Sequence, residues 1–196
     1  MFGLFKRKNS VNEDYFIYKT QTEKYRMLIK HIAELVNDRE VVVGCFFEDT
    51  EQEVSRLLEA AQIKHSTNEN SFDGSVRVKV VQVGNYQNMS LKGSEALLLA
   101  EIYPIRSTMM EFLANMNSHG TINCYTSMDS PFFETFGGDR MLALMDQLGM
   151  VENERIQHSM VTKSIIKAQE KIEAQVKSEY KTASLEEWVA MNLAKK

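Results

Sequence analysis

Short runs of apolar, largely β-branched residues alternate with amphipathic helical segments through the first two thirds of the chain. The clearest run is VVVGCFF at residues 41–47, and the segment that follows it, EDTEQEVSRLLEAA, reads as a helix with acidic residues in its first turns. A continuous apolar run is typical of a strand covered on both faces. Strands that alternate with helices require crossover connections and a parallel sheet. The pattern therefore predicts an α/β fold with a mostly parallel sheet flanked by helices.

Four further segments have strand character. They are YFIYKT at 15–20, VRVKVVQVG at 76–84, ALLLAEIY at 96–103 and TINCYTSM at 121–128. In the second of these, valines alternate with Arg77 and Lys79, which predicts a strand with one wetter face that lies nearer an edge of the sheet.

The last third of the chain reads as helical. A long helix is predicted over about 159–180, and the final SLEEWVAMNLA segment begins with Ser184 and Glu187 at the spacing of a capping box. The long helix carries an apolar stripe, which must lie on something apolar. Any part of it left uncovered is a candidate interaction surface. The stripe consists of Val161, Ile165, Ile172 and Val176.

Composition excludes several function classes. The formal net charge is −4, which argues against nucleic-acid binding as the main activity because that needs clustered Lys and Arg. Cys45 and Cys124 lie in apolar runs without metal or redox spacing, so we expect buried free thiols and a reducing compartment. With no apolar run of membrane-spanning length and no signal core at the start, the protein is expected to be cytoplasmic.

Residues 1–13 form a basic and apolar N-terminal tail. Phe2, Leu4 and Phe5 stand beside Lys6, Arg7 and Lys8. Such a tail is a candidate for weak contact with an anionic membrane surface, which would make the protein peripheral to the inner face of the membrane. A solvated tail is the alternative interpretation.

A long segment late in the chain resembles the SecA family of bacterial preprotein-translocation motors. FETFGGDRMLALMDQLGMVENERIQHSMVTKSIIKAQEKIEAQ is similar to the end of that family's second nucleotide-binding fold and the start of its scaffold helix. The matching residues are Phe136 to Arg140, Leu148, Gly149, His158, Met160, Val161 and Ala168 to Glu173. Upstream, YKTQTEKYRMLIKHIAELVNDREVVVGCFF resembles the opening of the same fold. The resemblance implies a RecA-like domain over 14–157 and C-terminal helices over 158–196 that resemble the start of the scaffold.

The chain departs from the family pattern at the residues that contact phosphate in the motor. Where the motor has an A-G-R-G-T-D type motif, this chain has Asn85, Tyr86 and Gln87, and residues 114–120 lack the arginines of the motor's Q-L-R-G-R element. The chain also has no G-x-x-x-x-G-K-[ST] phosphate loop. We therefore predict no ATP hydrolysis, no catalytic residues and no cofactor.

Some family residues are retained, and each has a structural interpretation. Glu101 and Arg106 match an E-x-x-x-x-R pattern, either as residual nucleotide-facing residues or as a structural ion pair. A structural junction between helices is predicted at Gly137, Gly138, Asp139 and Arg140. The four histidines show no metal-ligand spacing.

The resemblance and the departures together predict a non-catalytic binding or regulatory protein linked to protein export. Its expected partner is a protein: the SecA motor, the translocation channel or another copy of this chain. The alternative from a different class is a nucleotide-sensing module that binds ATP or ADP without hydrolysing it.

Overall fold

The computed structural model describes residues 12–67, 75–83, 95–115, 121–147, 149–156 and 159–193. In chain order the first elements are β1 (Asn12–Tyr18), α1 (Gln21–Leu35), β2 (Val41–Cys45), α2 (Glu48–Ala60) and β3 (His65–Ser66). They are followed by β4 (Val78–Gln82), β5 (Ala96–Leu99), α3 (Arg106–Asn115) and β6 (Thr121–Ser127). The remaining elements are α4 (Pro131–Glu134), α5 (Gly138–Gln147), α6 (Ser159–Gln175) and α7 (Leu185–Leu193).

The strands form one sheet in the order β1-β6-β5-β2-β4-β3, and each of its pairings is parallel. The predicted α/β class with a parallel sheet is thus confirmed, and the run at 41–47 supplies a central strand. β3 falls in a polar stretch that the sequence did not identify as a strand. It is only two residues long, so it has no room for a repeating pattern.

Two hydrophobic clusters pack on opposite faces of the sheet. Side chains alternate across β2, so that Val41 and Val43 face α1 and α2, whereas Val42 faces the side that holds α3 and α6. The final helix, α7, packs into the cluster that contains Val42, through Trp188, which is fully buried. The C-terminal helices therefore share a core with the sheet, and a unit boundary between residues 157 and 158 stays a prediction.

The predicted wetter face of the strand at 76–84 is wrong. Lys79 is 4% exposed, and Val80 and Val81 are also buried. β4 lies between β2 and β3, and its valines belong to the hydrophobic clusters on both faces of the sheet, so Lys79 in the alternating pattern is buried. Arg77, just before the strand, is exposed as predicted. Its place one strand from the sheet edge agrees with the sequence.

The long helix is shorter than predicted, since α6 ends at Gln175. Both cysteines are free and buried, as expected. Within the described ranges, no helix combines the length and apolar character needed to cross a bilayer.

Candidate functional site

The carboxyl ends of β2 and β5 form the point where the chain's connections diverge. These strands are neighbours, and the helices that follow them, α2 and α3, pack on opposite faces of the sheet. In open α/β sheets, a crevice of this kind is the usual ligand site. The residues that follow these two strands therefore form the candidate site.

Glu101 lies just after β5 at the centre of this crevice. One of its carboxylate oxygens accepts hydrogen bonds from the backbone N–H groups of Phe46 (2.8 Å) and Phe47 (2.9 Å). The other accepts from the Thr50 hydroxyl at 2.7 Å. Burial raises the pKa of Glu101 to about 7, although these donors and Lys24 act in the opposite direction. Through these hydrogen bonds, Glu101 links the turn between β2 and α2 to the end of β5.

Lys24, in the first turn of α1, is a positive charge that acts on the Glu101 carboxylate. Its side chain is only 5% exposed, and its ammonium lies 3.8 Å from the centre of the Tyr25 ring. Burial lowers the pKa of Lys24, and the Glu101 carboxylate is the largest influence that raises it. The two buried charges therefore offset one another across the crevice.

A small polar cavity of about 100 Å³ adjoins Lys24 and Glu101. Thr126, Ser127 and Ser130, from the end of β6 and the turn after it, line this cavity. The hydroxyl groups of Ser127 and Ser130 are buried and have no hydrogen-bond partner within the part of the chain that the structure describes. The first turn of α7 contributes Leu185 and Glu186 to its rim.

The segment 176–193, which we call the C-terminal strap, folds over this edge of the sheet. The Glu179 carboxylate accepts hydrogen bonds from the Tyr103 hydroxyl and, at 2.7 Å, from the Trp188 indole N–H. The Trp188 ring packs edge-on against Tyr103, with ring centroids 6.2 Å apart. The backbone N–H of Asp49 donates to the Ala183 carbonyl at 3.1 Å. The strap thus covers part of the crevice with residues of the chain itself.

The α7 start follows the predicted capping pattern with one difference. The Ser184 hydroxyl accepts from the backbone N–H of Glu187, as in a capping box. The Glu187 carboxylate returns to the N–H of Ala183 rather than to that of the cap residue.

The structure does not pair Glu101 with Arg106, so the ion-pair interpretation is wrong. Arg106 opens α3, and its guanidinium donates to the Glu13 carboxylate at 2.8 Å and to the Tyr15 hydroxyl at 3.3 Å. Both partners lie on β1, whereas Glu101 binds the turn after β2. The five-residue spacing in sequence could not show whether the two side chains pair, because they point in different directions from the connection between β5 and α3.

The apolar stripe of α6 is largely internal. Ile165 and Ile172 are each 1% exposed and belong to the core cluster. Val161 and Val176 are partly buried and pack against that cluster. An interaction surface at Ile165 and Ile172 is therefore wrong, because the sheet, α3 and the strap cover this face of the helix.

The predicted glycine junction lies between α4 and α5. Gly137 has a φ of +82°, which favours glycine, and Gly138 begins α5. A methyl group on Gly138 would stand 2.7 Å from the Met128 carbonyl oxygen. Asp139 and Arg140 fall in the first turn of α5, and their side chains lie outside the described residues.

Several other predicted features also fall outside the described residues. These are the N-terminal residues 1–11, the stretch with Asn85, Tyr86 and Gln87, residues 116–120, Leu148 and His158. In the described part of the chain, no group of His, Cys, Asp and Glu side chains is arranged to hold a metal ion. His31 instead bonds to the Tyr125 hydroxyl and stacks on Phe16.

Sequence reasoning missed most of the residues that build the crevice. Lys24 lies on the buried face of α1 with Leu28 and Ile32, where a helical pattern predicts an apolar residue. Trp188 and Glu179 act through contacts with residues far away in sequence. The one available signal was local. Thr50 occupies the first turn of a helix that follows a central strand, a position that often contributes to ligand sites.

Comparisons with known proteins identify the ancestry of this fold. No protein-family model matches the chain. The protein translocase subunit SecA of Chlorobium phaeobacteroides (strain BS1) is 31% identical over 187 residues, covering 84% of this chain and 18% of that protein. SecA of Chlorobaculum tepidum is 28% identical over 187 residues, with 84% and 18% covered.

Solved structures agree on the fold. A chain in the crystal structure of the E. coli DEAD-box protein SrmB bound to regulator of ribonuclease activity A superposes with a TM-score of 0.51 at 12% identity. The match covers 64% of this chain and 83% of that chain, and it supports the RecA-like fold. The chain spans less than a fifth of the length of the SecA relatives. This chain is therefore a homologue of one segment of the protein translocase subunit SecA, a segment with a RecA-like, helicase-type fold.

Proposed function

We propose that this chain is a non-hydrolysing, SecA-related binding protein that acts in protein export through protein–protein contacts. Its partner is the SecA motor, the translocation channel or a second copy of the chain. The link to export rests on homology with SecA, and the non-catalytic part rests on the chain's own residues. Neither nucleic acid nor a nucleotide cofactor is required for this role.

The observation that carries the non-catalytic part is the internal use of the two retained family residues. Glu101 is 5% exposed and already accepts hydrogen bonds from the β2 to α2 turn. Arg106 is engaged by Glu13 on β1. An arginine whose charge is already paired within the fold is a poor ligand for a phosphate group, because binding would first break these contacts, and a carboxylate such as Glu101 repels the phosphate anion.

The sequence supports the same proposal. Stabilisation of a transferred phosphoryl group needs positive groups and a phosphate-binding loop. The stretches 84–90 and 114–120 contain no arginine, and these 196 residues contain no phosphate-loop motif. The residues that remain suit a domain whose surfaces bind a partner.

Affinity capture tests the proposed partner. The tagged chain is expressed in its own cells at native level, crosslinked and captured, and the eluate is probed for SecA and the channel subunits. Enrichment of either at least about tenfold over a tag-only control is expected, and sedimentation of the purified chain checks self-association. If neither translocation component is enriched and the chain sediments as a monomer, the proposal is wrong.

A further inference from the structure

A groove runs between α1 and α2, on the side of these helices that faces away from the sheet. Its volume is about 680 Å³. Apolar side chains from α1 and from the end of α2 line it, and none of them is fully buried: Tyr25, Ile29, Leu57, Ala60 and Ala61. Apolar surface gathered in one groove marks a place where another segment packs.

The charged residues along the groove are paired within their own helices. The Arg26 guanidinium lies 2.7 Å from the Glu23 carboxylate, and that of Arg56 lies 2.7 Å from the Glu53 carboxylate. Each pair has no net charge, so the apolar surface lies between two neutral rims. An apolar segment suits this part of the groove better than a charged one, because burying an unpaired charge is unfavourable.

At one end, the groove meets an acidic edge of the fold. Both helices run back to the edge of the sheet where the strands begin, and neither has a basic residue in its last turn. The unpaired carbonyl groups at helix ends carry partial negative charge. Among the described residues next to the starts of β2 to β5, acidic side chains outnumber basic ones: Glu34, Asp38, Glu40, Glu59 and Glu95 against Arg39, Lys64 and Arg77. This end of the groove therefore attracts a basic segment.

The N-terminal tail carries these two properties in the matching order. FGLF at 2–5 precedes KRK at 6–8, and β1 begins at Asn12 on the same edge of the parallel sheet. Residues 6–11 span about 20 Å when extended, which is enough to pass the end of α1, a helix about 10 Å across. The basic residues then reach the acidic edge, and the apolar residues reach the groove.

We propose that the groove between α1 and α2 is the docking site of the chain's own N-terminal tail. The FGLF side chains pack against Leu57 and Ala60, and the KRK side chains lie at the acidic edge. Contact with an anionic membrane surface would use the same tail residues, so docking in the groove and membrane contact exclude one another. The proposal goes beyond the role in export and does not depend on it.

A nitroxide spin label in the tail of the full ¹⁵N-labelled chain tests this proposal by nuclear magnetic resonance. G3C supplies the attachment site. Cys45 and Cys124 are buried, so position 3 is expected to take the label, and mass spectrometry verifies that each chain carries a single label.

The nitroxide broadens the amide signals of residues that lie close to it. The signals of Ile29 and Leu57 should lose most of their intensity relative to the sample with reduced nitroxide. The signal of Ile172, which belongs to the core cluster on the opposite face of the sheet, should keep its intensity.

Two variants of the G3C chain remove docking from opposite sides. A60R places a long, positively charged side chain on the exposed floor of the groove, and F2S/F5S removes the aromatic rings of the tail. Each should restore the Leu57 signal. The matched control is A190R, which makes the same change at an exposed alanine of α7 and should leave the broadening unchanged. Circular dichroism verifies that each variant is folded.

Three results would overturn the proposal. One is broadening confined to amides next to Asn12, as expected of a solvated tail. Another is broadening of Leu57 that persists in both A60R and F2S/F5S. The third is broadening of Leu57 in a ¹⁵N-labelled wild-type chain mixed with a nitroxide-bearing G3C chain that lacks ¹⁵N, because the tail of a second copy would then occupy the groove.

Discussion

At the scale of single residues, the crevice is organised by one buried carboxylate. Glu101 joins two strands of the sheet by accepting from the backbone of Phe46 and Phe47 and from Thr50. These donors stabilise its charged form, yet burial has the larger effect and raises its pKa to about 7. The residue therefore carries a proton over part of the physiological pH range.

The free energy of unfolding should depend on pH through Glu101. The carboxyl binds its proton more tightly in the folded chain, where its pKa is about 7, than at its ordinary value of 4.5. The folded state thus holds more protons than the unfolded state between these values, so stability falls as pH rises through that window and is level above it. Urea unfolding of the wild type and E101Q at several pH values measures this.

Relative to E101Q, the wild type should lose stability between about pH 4.5 and about pH 7. E59Q changes an exposed glutamate of α2 and serves as the control for replacing a glutamate away from the crevice. A stability difference between the wild type and E101Q that stays constant across this pH range would contradict the assignment of the titration to Glu101.

At the scale of elements, α6 and the strap complete the core on one face of the sheet. Ile172 of α6 and Trp188 of α7 belong to the same cluster as Met109 of α3. Gln169 reinforces this packing, since its amide donates to the Tyr103 carbonyl at 2.7 Å. The helices after residue 158 are therefore structural parts of the domain's core.

A charge on the buried face of α6 should unfold the chain. I172E places a carboxylate at a site that is 1% exposed, which should lower the free energy of unfolding by about 3 to 5 kcal/mol. M160E is the control on the same helix, because Met160 is 68% exposed and its substitution should change stability by about 0.5 kcal/mol or less. Far-ultraviolet circular dichroism with urea distinguishes them. If the I172E chain folds with near wild-type stability, this face of α6 is exposed and its assignment to the core is wrong.

The sequence predicted the helices and strands better than it predicted which side chains are buried and what they contact. Alternating apolar runs and amphipathic segments were sufficient for the parallel sheet and for β2 at its centre. They could not show that Lys79 is buried or that Ile172 is covered, because both facts depend on which distant elements pack there. Glu101 was identified by its resemblance, but its backbone partners carry no sequence signal, and Lys24 resembles an ordinary helix lysine.

At the scale of the whole molecule, this SecA-related chain covers part of the crevice at the carboxyl ends of β2 and β5 with its own C-terminal strap. The chain corresponds to 18% of its SecA relatives, and its described residues hold a parallel sheet with strands β1 to β6. Its strap, anchored by Glu179 and Trp188, occupies part of the crevice. The strap and the sheet thus share one hydrophobic core.

Phosphate release from ATP is the measurement that tests this account most directly. The purified chain is incubated with Mg²⁺ and ATP, alongside E101Q and a buffer control. The account predicts release at the buffer level for both proteins, because the sequence lacks the arginines and the phosphate loop that hydrolysis needs. Magnesium-dependent release that follows the wild-type protein through successive purification steps, and that E101Q loses while remaining folded, would contradict it.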